Sequence, residues 1–337
     1  MKHITLDTQG AVATLTLNRP EAINALTHGM VLGILEALGQ WREDEAVSAV
    51  LIVGAGERGL CAGGDIVALY RDATEGDGRA SAAFWADEYR MNSQLAHYPK
   101  PVVAIQDGIV LGGGIGVSAH GSHRVVTERS RLGLPEVGIG FVPDVGATWL
   151  LSRAPGELGT AAALAASRLG AGDAIVLGLS DAYVPSADLP ALLRDLETLD
   201  PDAAIARHAQ APPVAELAAS REWIDAVFLA DSVEVVRELL RSVGEPAAGM
   251  LASIESASPT ALAVTLESLR RARGLRTLDE ALAQEYRVSL HCLASPDFAE
   301  GVRAQVIDKD RSPRWSPAPD RATVLGFFEP HERETAS

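Results

Sequence analysis

The sequence lacks the features that mark exported, membrane-spanning or disulfide-built proteins. Its two cysteines, Cys61 and Cys292, cannot form a framework of several bridges, so nothing requires an oxidising compartment. No apolar run reaches the roughly 20 residues that a bilayer-spanning helix needs. The N-terminal residues show neither an apolar signal core nor an Arg/Ser-rich presequence. We therefore expect a cytoplasmic protein without a membrane partner.

Positive charge is also scarce. The 337 residues contain 29 Lys+Arg and 45 Asp+Glu, for a formal net charge of −16. Nucleic acids and anionic membrane surfaces are bound by clustered cations, so we expect no nucleic-acid partner. With 47% hydrophobic residues the chain can bury a sizeable core, in one large domain with an appendage or in two domains.

Short apolar strands alternate with helical patterns in the first part of the chain. A hairpin at 3–17 precedes apolar strands at 47–53 and 101–105, with helical spacing at 24–41 and 84–96. Glycine-rich segments follow the strands, a loop at 54–64 and a turn at 108–116. This alternation predicts an α/β fold. Helical periodicity dominates after about residue 187, so we predict an α/β core over 1–187 and a helical C-terminal region over 188–337.

Three local patterns suggest chemistry that their surroundings do not support. Gly54 to Gly59 reads as G-x-G-x-x-G after a strand, but the loop continues where a dinucleotide site needs a helix to begin. No base can be assigned to Cys61, and a small buried cysteine is the more common role. His120 and His123 have no acid or cysteine at a supporting spacing, so a metal site is not expected.

Two glycine clusters carry a stronger signal. Ala62-Gly63-Gly64-Asp65 and Leu111-Gly112-Gly113-Gly114-Ile115-Gly116 each lie between a strand and a helix. Unhindered backbone amides at two such places can point at one oxygen, which is the construction of an oxyanion hole. The alternative is that these glycines only permit tight turns or close helix packing.

Acidic residues occur in apolar surroundings at two places. Glu136 and Asp144 lie in a loop rich in glycine and apolar residues. A carboxyl in such surroundings has a raised pKa and can serve as general base or acid, although solvated loop acids are the alternative. Glu88 falls on the apolar stripe of a predicted helix, where it needs a function or a buried ion-pair partner.

The motifs together resemble the crotonase (enoyl-CoA hydratase/isomerase) superfamily. The segments shared with the whole superfamily are Asn18-Arg19-Pro20, Asn24-Ala25-Leu26, Cys61-Ala62-Gly63-Gly64-Asp65-Ile66 and Gly112-Gly113-Gly114. The segments that resemble its 3-hydroxyisobutyryl-CoA hydrolase branch are Glu88-Tyr89, Pro135-Glu136, Phe141-Val142-Pro143-Asp144-Val145-Gly146, Ser258-Pro259-Thr260, Glu285-Tyr286-Arg287, Glu300-Gly301-Val302-Arg303-Ala304 and Ile307-Asp308-Lys309-Asp310. This resemblance spans nearly the whole chain.

The resemblance implies a spiral of repeated ββα units with a helical C-terminal region that often mediates trimer packing in the superfamily, so a homo-oligomer is possible. It also implies an acyl-CoA substrate whose thioester carbonyl binds the amides of Gly64 and Gly113, with no further cofactor. Ala62, Asp65 and Ile66 belong to the implied substrate-binding loop. Polyanionic CoA needs nearby cations, for which Arg19, Lys100 and Lys309 are suggestions.

The sequence departs from the hydratase pattern at position 116. Hydratases of this superfamily use two glutamates, the first of them three residues after the oxyanion glycine, and Gly116 stands there. Dienoyl-CoA isomerases have an aspartate at that place. A single base beside an oxyanion hole suits thioester hydrolysis, with Glu136 as base or nucleophile and with Asp144 and Glu88 holding a substrate hydroxyl and water. A hydratase or isomerase, or a non-catalytic CoA-binding protein, is the alternative.

Overall fold

A computed structural model describes residues 3–336. The strands are β1 (Ile4–Gln9), β2 (Val12–Leu17), β3 (Ala49–Gly54), β4 (Val102–Gln106), β5 (Ile109–Leu111), β6 (His123–Val126), β7 (Arg131–Gly133) and β8 (Ala182–Tyr183). The α-helices are α1 (His28–Glu43), α2 (Ile66–Glu75), α3 (Arg79–Ala96), α4 (Gly113–Ser118), α5 (Ala147–Leu151), α6 (Leu158–Leu164), α7 (Ala171–Val176), α8 (Leu189–Leu196), α9 (Pro201–His208), α10 (Glu216–Ala219), α11 (Arg221–Phe228), α12 (Val233–Val243), α13 (Ala248–Ser256), α14 (Pro259–Ala272), α15 (Leu278–Ala294), α16 (Pro296–Val302) and α17 (Arg321–Gly326).

Short 3-10 turns connect several of these elements. They are Pro20–Ala22, Glu136–Ile139, Ser186–Asp188, Glu245–Ala247 and Glu332–Ala336, and a π-helical turn spans Arg303–Ile307.

The chain forms two compact units, each assembled from separate stretches of sequence. The first unit comprises Met1–Gly64, Asp87–Leu132 and Leu169–Glu216, and the second comprises Asp65–Ala86, Gly133–Arg168 and Leu217–Ser337. The division that we predicted at residue 187 follows a change in local pattern along the chain and stays a prediction. The compact units follow which segments pack together, which a linear pattern does not reveal.

The first unit is built on a six-stranded sheet of order β1-β2-β3-β4-β6-β8. Strands β1 and β2 form the predicted antiparallel hairpin, with Ile4 opposite Leu17, and all other pairs are parallel. The central strands β3 and β4 are apolar and mostly buried along their length. This is typical of parallel strands that are covered on both faces.

Alternate residues of these strands build the core of this unit. Val12, Leu51, Val103 and Ile105 point to one face, where they pack with apolar residues of α8 and α9. Their neighbours in the sequence point to the other face because side chains alternate along a strand. The ends of the strands, and the loops that follow them, are thereby fixed by the core.

Three sequence predictions about local structure differ from the observed elements. The first helix begins at His28 rather than residue 24, because Thr27 accepts a hydrogen bond from the Met30 amide as its N-cap. The predicted glycine turn at 108–116 is a short strand followed by α4, and α3 begins at Arg79 rather than residue 84. The region after residue 187, where helical periodicity was predicted to dominate, is indeed mainly helical, from α8 to α17.

The second unit is largely helical. Trp85, Phe141 and Phe298 form an aromatic cluster, with ring centroids 5.3 Å apart for Trp85–Phe141 and 5.7 Å apart for Phe141–Phe298. A methyl group at Gly140, whose φ is +71°, would lie 2.1 Å from the Asp297 carbonyl oxygen. Glycine therefore lets α16 pack directly on the segment that begins at Glu136. Within residues 3–336, no helix is both long and apolar enough to cross a bilayer.

Candidate active site

The loop at 61–64 lies beside the chain at 110–114 in the first unit. The Leu111 amide donates to the Cys61 carbonyl at 2.9 Å. A methyl group at Gly114 would lie 2.4 Å from that same carbonyl oxygen, so only glycine permits the approach. A methyl group at Gly113 would lie 3.2 Å from the Gly64 amide nitrogen, so the two glycines predicted to form the oxyanion hole are neighbours.

The amides of Gly64 and Gly113 are not used as donors by the rest of the described chain. Neither N–H donates a hydrogen bond to another group within the described residues. Gly113 is the first residue of α4, where a backbone N–H has no partner inside the helix. Two adjacent unused donors fit an oxyanion hole, and that role stays a prediction.

Asn24 explains why this loop has a defined shape. Its side chain is fully buried and donates to the carbonyls of Ala55 and Gly59, while its oxygen accepts from the Arg19 amide. Nearby, the Ala62 amide donates to Ile23, and Leu26 donates to Gly63 at 2.8 Å. The asparagine recognised only as part of a family motif therefore fastens the chain before α1 to the glycine-rich loop.

Glu88 lies close to the same pair of glycines. It is 2% exposed, and Phe84, Met91 and Leu95 on the same helix are buried as well, which confirms the predicted stripe. Its Oε1 lies 2.7 Å from the position that a methyl group at Gly113 would occupy. The Glu88 carboxyl therefore lies beside Gly113.

Cys61 is not suited to act as a nucleophile. Burial raises the pKa of its thiol to about 12 and the negative charge of Glu88 adds to the rise, while backbone hydrogen bonding at Gly63 and Leu26 partly opposes it. A thiol in this state has almost no thiolate near neutral pH. Cys61 acts in packing, as the sequence pattern favoured.

Glu136 is a buried carboxyl in the second unit. It is the first residue of a 3-10 turn behind Pro135, is 6% exposed, and its Oε2 has no hydrogen-bond partner within the described residues. Burial raises the pKa of Glu136 well above its usual range, and the negative charge of Asp144 adds to the shift. A carboxyl with a free oxygen and a raised pKa is equipped to take up a proton near neutral pH.

Asp144 is also buried, at 5% exposure, in the same unit as Glu136. The interpretation of these two residues as solvated loop acids is therefore wrong. Asp65 and Ile66 begin α2 in this unit, where the Asp65 side chain accepts a hydrogen bond from the Ala68 amide at 3.3 Å as the N-cap. This cap orients the start of α2, and the predicted contacts of both residues with substrate stay predictions.

Another buried carboxyl, Glu285, was missed as a site candidate. It lies on α15, is 1% exposed, and accepts hydrogen bonds from the Gly146 amide at 2.6 Å and from the amide and hydroxyl of Thr148 at 2.9 and 2.6 Å. Burial raises the pKa of Glu285 to about 8, and the negative charge of Asp144 contributes, while the accepted hydrogen bonds lower it. The sequence carried a usable signal, because helical spacing puts Glu285 on the apolar face of α15.

Two of the suggested cations, Arg19 and Lys100, and the histidine His123 have local partners. The Lys100 ammonium donates to the carbonyls of Trp41 and Asp44 at the end of α1, and the Arg19 guanidinium donates to the Ala25 carbonyl. Lys309 is exposed. The His123 ring bonds to Ser122 and Asp202. Across the part of the chain that is described, no three His, Cys, Asp or Glu side chains are grouped as metal ligands would be.

Known proteins share both the sequence and the fold. The family described as enoyl-CoA hydratase/isomerase matches residues 12–323. The 3-hydroxyisobutyryl-CoA hydrolase of Xenopus tropicalis, named as mitochondrial, is 39% identical over 91% of this chain and 83% of its own length. The 3-hydroxyisobutyryl-CoA hydrolase 1 of Arabidopsis thaliana is 36% identical over 98% of this chain and 93% of its own length. A solved structure named as a carnitinyl-CoA dehydratase, from Mycobacterium thermoresistibile, is 49% identical with a TM-score of 0.95 and 98% coverage of both chains.

Proposed function

The chain belongs to the enoyl-CoA hydratase/isomerase family, and on that premise we propose that it hydrolyses 3-hydroxyisobutyryl-CoA to 3-hydroxyisobutyrate and free CoA. The resemblance to the crotonase superfamily and the α/β crotonase fold are thereby confirmed. The protein is an enzyme of the thioester hydrolase class, as its curated relatives are named. We place its reaction in valine breakdown.

The observation that carries the proposal is the contrast between positions 116 and 136. Gly116 is a buried residue inside α4 and offers no acid, whereas Glu136 is a buried carboxyl with a raised pKa and with one oxygen that has no hydrogen-bond partner among residues 3–336. The hydratases of this superfamily add water across a double bond with two glutamates, which serve as an acid and a base. Hydrolysis of a thioester needs one base or nucleophile and stabilisation of the oxyanion.

The proposed reaction uses these groups in a fixed order. The thioester carbonyl oxygen accepts hydrogen bonds from the amides of Gly64 and Gly113, which stabilise the negative charge that develops on it. Glu136 either removes a proton from the attacking water or attacks the carbonyl carbon itself and forms an anhydride that water then opens. The C–S bond breaks, CoA leaves as its thiolate and takes up a proton, and the carboxylic acid remains.

Substrate selection is assigned to the other acids and to the glycine loop. Asp144 and Glu88 are proposed to hold the substrate 3-hydroxyl and the water. Their burial supports this, because hydrogen bonds made away from water discriminate strongly between an acyl chain that carries the hydroxyl and one that lacks it. Ala62, Asp65 and Ile66 are proposed to contact the acyl-CoA, as the family motif implies.

Release of free thiol from a panel of CoA esters tests the function. The panel contains 3-hydroxyisobutyryl-CoA, isobutyryl-CoA, crotonyl-CoA and carnitinyl-CoA, with free CoA and the absorbance of the unsaturated thioester followed together. Hydrolysis predicts free CoA from the first ester at the highest kcat/KM. A change in unsaturation without free CoA would overturn the proposal in favour of a hydratase, and no turnover of any ester would favour a CoA-binding protein.

A hydratase or dehydratase is the second candidate, and the name of the 49% identical solved structure favours it. Gly116→Glu tests the difference, since it restores an acid at the place where hydratases have one. We expect no efficient hydration of crotonyl-CoA by this variant, because catalytic groups need placement within about 0.5 Å and the supporting contacts are lacking. Rapid hydration of crotonyl-CoA by the unmodified protein would contradict the argument from Gly116.

Three further parts of the proposal concern the surroundings of the enzyme. The reaction needs water and the CoA thioester, and we propose no further cofactor. We propose a homo-oligomer, which light scattering during gel filtration would test. We propose a cytoplasmic location, in contrast to the relative named as mitochondrial, and cell fractionation would test it.

A further inference from the structure

The segment that follows Asp144 has an unusual backbone. Val145 has φ +56° and Gly146 has φ +80°, so two consecutive residues adopt the left-handed region. A β-branched residue such as valine is strained there and keeps this conformation only when its surroundings impose it. The Asp144 carbonyl accepts a hydrogen bond from the Ala147 amide at 2.8 Å, so the strained turn belongs to the same structure as Asp144.

Glu285 is the group that holds this turn. Its Oε2 accepts from the Gly146 amide, and its Oε1 accepts from both the amide and the hydroxyl of Thr148. Gly146 is the N-cap of α5 and has no side chain, so the α15 carboxyl satisfies amides that a capping side chain would otherwise bind. All the partners are buried, and water cannot readily replace these hydrogen bonds.

The same carboxyl is within electrostatic reach of Asp144. The negative charge of Asp144 raises the pKa of Glu285, and it also raises the pKa of Glu136. Asp144 thus interacts with both carboxyls, while its position on the chain depends on a turn that Glu285 fastens at Gly146 and Thr148. The proposed catalytic steps do not use Glu285.

We propose that Glu285 is a positioning residue that fixes the Asp144–Thr148 turn and thereby sets the discrimination between 3-hydroxylated and unsubstituted acyl-CoA substrates. This inference rests on the proposed function, in which Asp144 holds the 3-hydroxyl. A carboxylate discriminates well only when its place is fixed, because a mobile group can relax away from a substrate that lacks the hydroxyl.

A double-mutant cycle between positions 285 and 144 tests the inference. The wild type, Glu285→Gln, Asp144→Ala and the double variant are compared by kcat/KM for 3-hydroxyisobutyryl-CoA and isobutyryl-CoA. The amide nitrogen of the introduced glutamine cannot accept a hydrogen bond, so at least one backbone N–H loses its partner while the shape is kept. We expect Glu285→Gln to lower the ratio of the two kcat/KM values by about tenfold or more, and to change this ratio little when Asp144 is already alanine.

Thr148→Val provides a milder variant in case Glu285→Gln folds poorly. It removes the hydroxyl that donates to Glu285 and leaves both amide hydrogen bonds, so we expect a smaller drop in the same ratio. Glu157→Gln is the matched control, because Glu157 is a buried carboxyl of the same unit that accepts hydrogen bonds from Arg270, Arg273 and Thr160. The control is expected to lower the thermal midpoint without changing the ratio.

The outcomes separate this inference from the proposed function. Equal loss on both substrates in Glu285→Gln, or the same drop in the ratio with and without Asp144, would overturn the positioning role. If the wild type releases no CoA, the proposed hydrolysis fails, and the cycle is then measured as dissociation constants of the two esters by calorimetry. A ratio of dissociation constants that Glu285→Gln leaves unchanged would again overturn the inference.

Discussion

Two regions of the molecule are suited to charged groups in opposite ways. They are the glycine loop, residues 61–64 with 111–114, and the acidic segment, residues 136–148. In the glycine loop, Gly64 and Gly113 carry no side chain, and their amides lie next to each other without an acceptor in the described part of the chain. The acidic segment instead buries the carboxyls of Glu136 and Asp144, at a cost that appears in the raised pKa of Glu136. The glycine loop is suited to bind an oxygen on which negative charge develops, and the acidic segment is suited to take up a proton.

The two regions also differ in what keeps them in place. The glycine loop is held by backbone hydrogen bonds to Cys61 and Leu26 and by the buried Asn24 side chain, all close in the same unit. The acidic segment is held from a distant part of the sequence, by Glu285 on α15 and by α16 against Gly140. Substitutions in the two regions are therefore expected to fail in different ways.

The largest effect is expected at the acidic segment, in Glu136→Gln. The variant keeps the shape of the side chain and removes the base or nucleophile, so we expect thiol release to fall by about 10³-fold or more. Binding of the CoA ester, measured by calorimetry, should change little because the lost interaction matters mainly in the transition state. Turnover close to that of the wild type would contradict the mechanism.

The next largest effect is expected at the glycine loop, in Gly113→Ala. The new methyl group would lie 2.7 Å from Glu88 Oε1 and 3.2 Å from the Gly64 amide nitrogen, where the oxyanion is proposed to bind. We expect kcat to fall by about 10²-fold, as when one oxyanion donor is lost.

Gly39→Ala serves as the control, because a methyl group at Gly39 in α1 meets nothing within 4 Å. It should stabilise the protein by about 1 kcal/mol and leave thiol release unchanged. Equal activity of Gly113→Ala and Gly39→Ala would argue against the oxyanion hole.

A smaller and more selective effect is expected in Asp144→Ala. If Asp144 accepts a hydrogen bond from the substrate 3-hydroxyl, the wild type prefers 3-hydroxyisobutyryl-CoA to isobutyryl-CoA. The variant should show a preference that is smaller by about tenfold or more. This preference is measured as the ratio of the kcat/KM values for the two substrates. If the variant loses activity on both substrates equally, Asp144 serves Glu136 or the water instead.

The pH dependence of the wild type follows from Glu136. A base must be ionised to act, so a raised pKa moves the acid limb of the kcat/KM profile above the ordinary value of 4.5, with a fall of about tenfold per pH unit below it. Asp144→Asn removes a negative charge that raises this pKa, so its limb, measured with isobutyryl-CoA, should shift to lower pH. An unchanged or upward-shifted limb would show that the limb does not belong to Glu136.

The smallest effect is expected in Cys61→Ala, inside the glycine loop. The thiol is buried, with a pKa of about 12, and donates to the Gly63 carbonyl at 3.5 Å. Its loss should lower the free energy of unfolding by about 1 kcal/mol and leave kcat within about threefold of the wild type. Loss of thiol release in a folded Cys61→Ala protein, checked by circular dichroism, would reinstate the cysteine as a reactive group.

Local chemistry allowed much of this molecule to be read from its sequence. The hairpin, the apolar strands and the buried stripe that contains Glu88 follow from spacings of two and of about 3.6 residues. The glycine clusters and the acids Glu136 and Asp144 could be predicted as candidate site residues because few residue types can occupy such positions. Helix boundaries were less accurate, since α1 and α3 depend on caps and packing as well as on periodicity.

Tertiary structure decided the features that depend on residues far apart in the sequence. The adjacency of Gly64 and Gly113 and the hydrogen bonds from Gly146 and Thr148 to Glu285 depend on long-range packing. The burial of Asp144 likewise depends on the packed structure around its turn. Residue type and spacing record local preferences, whereas a buried carboxyl acquires its pKa and its partners only when distant segments exclude water around it.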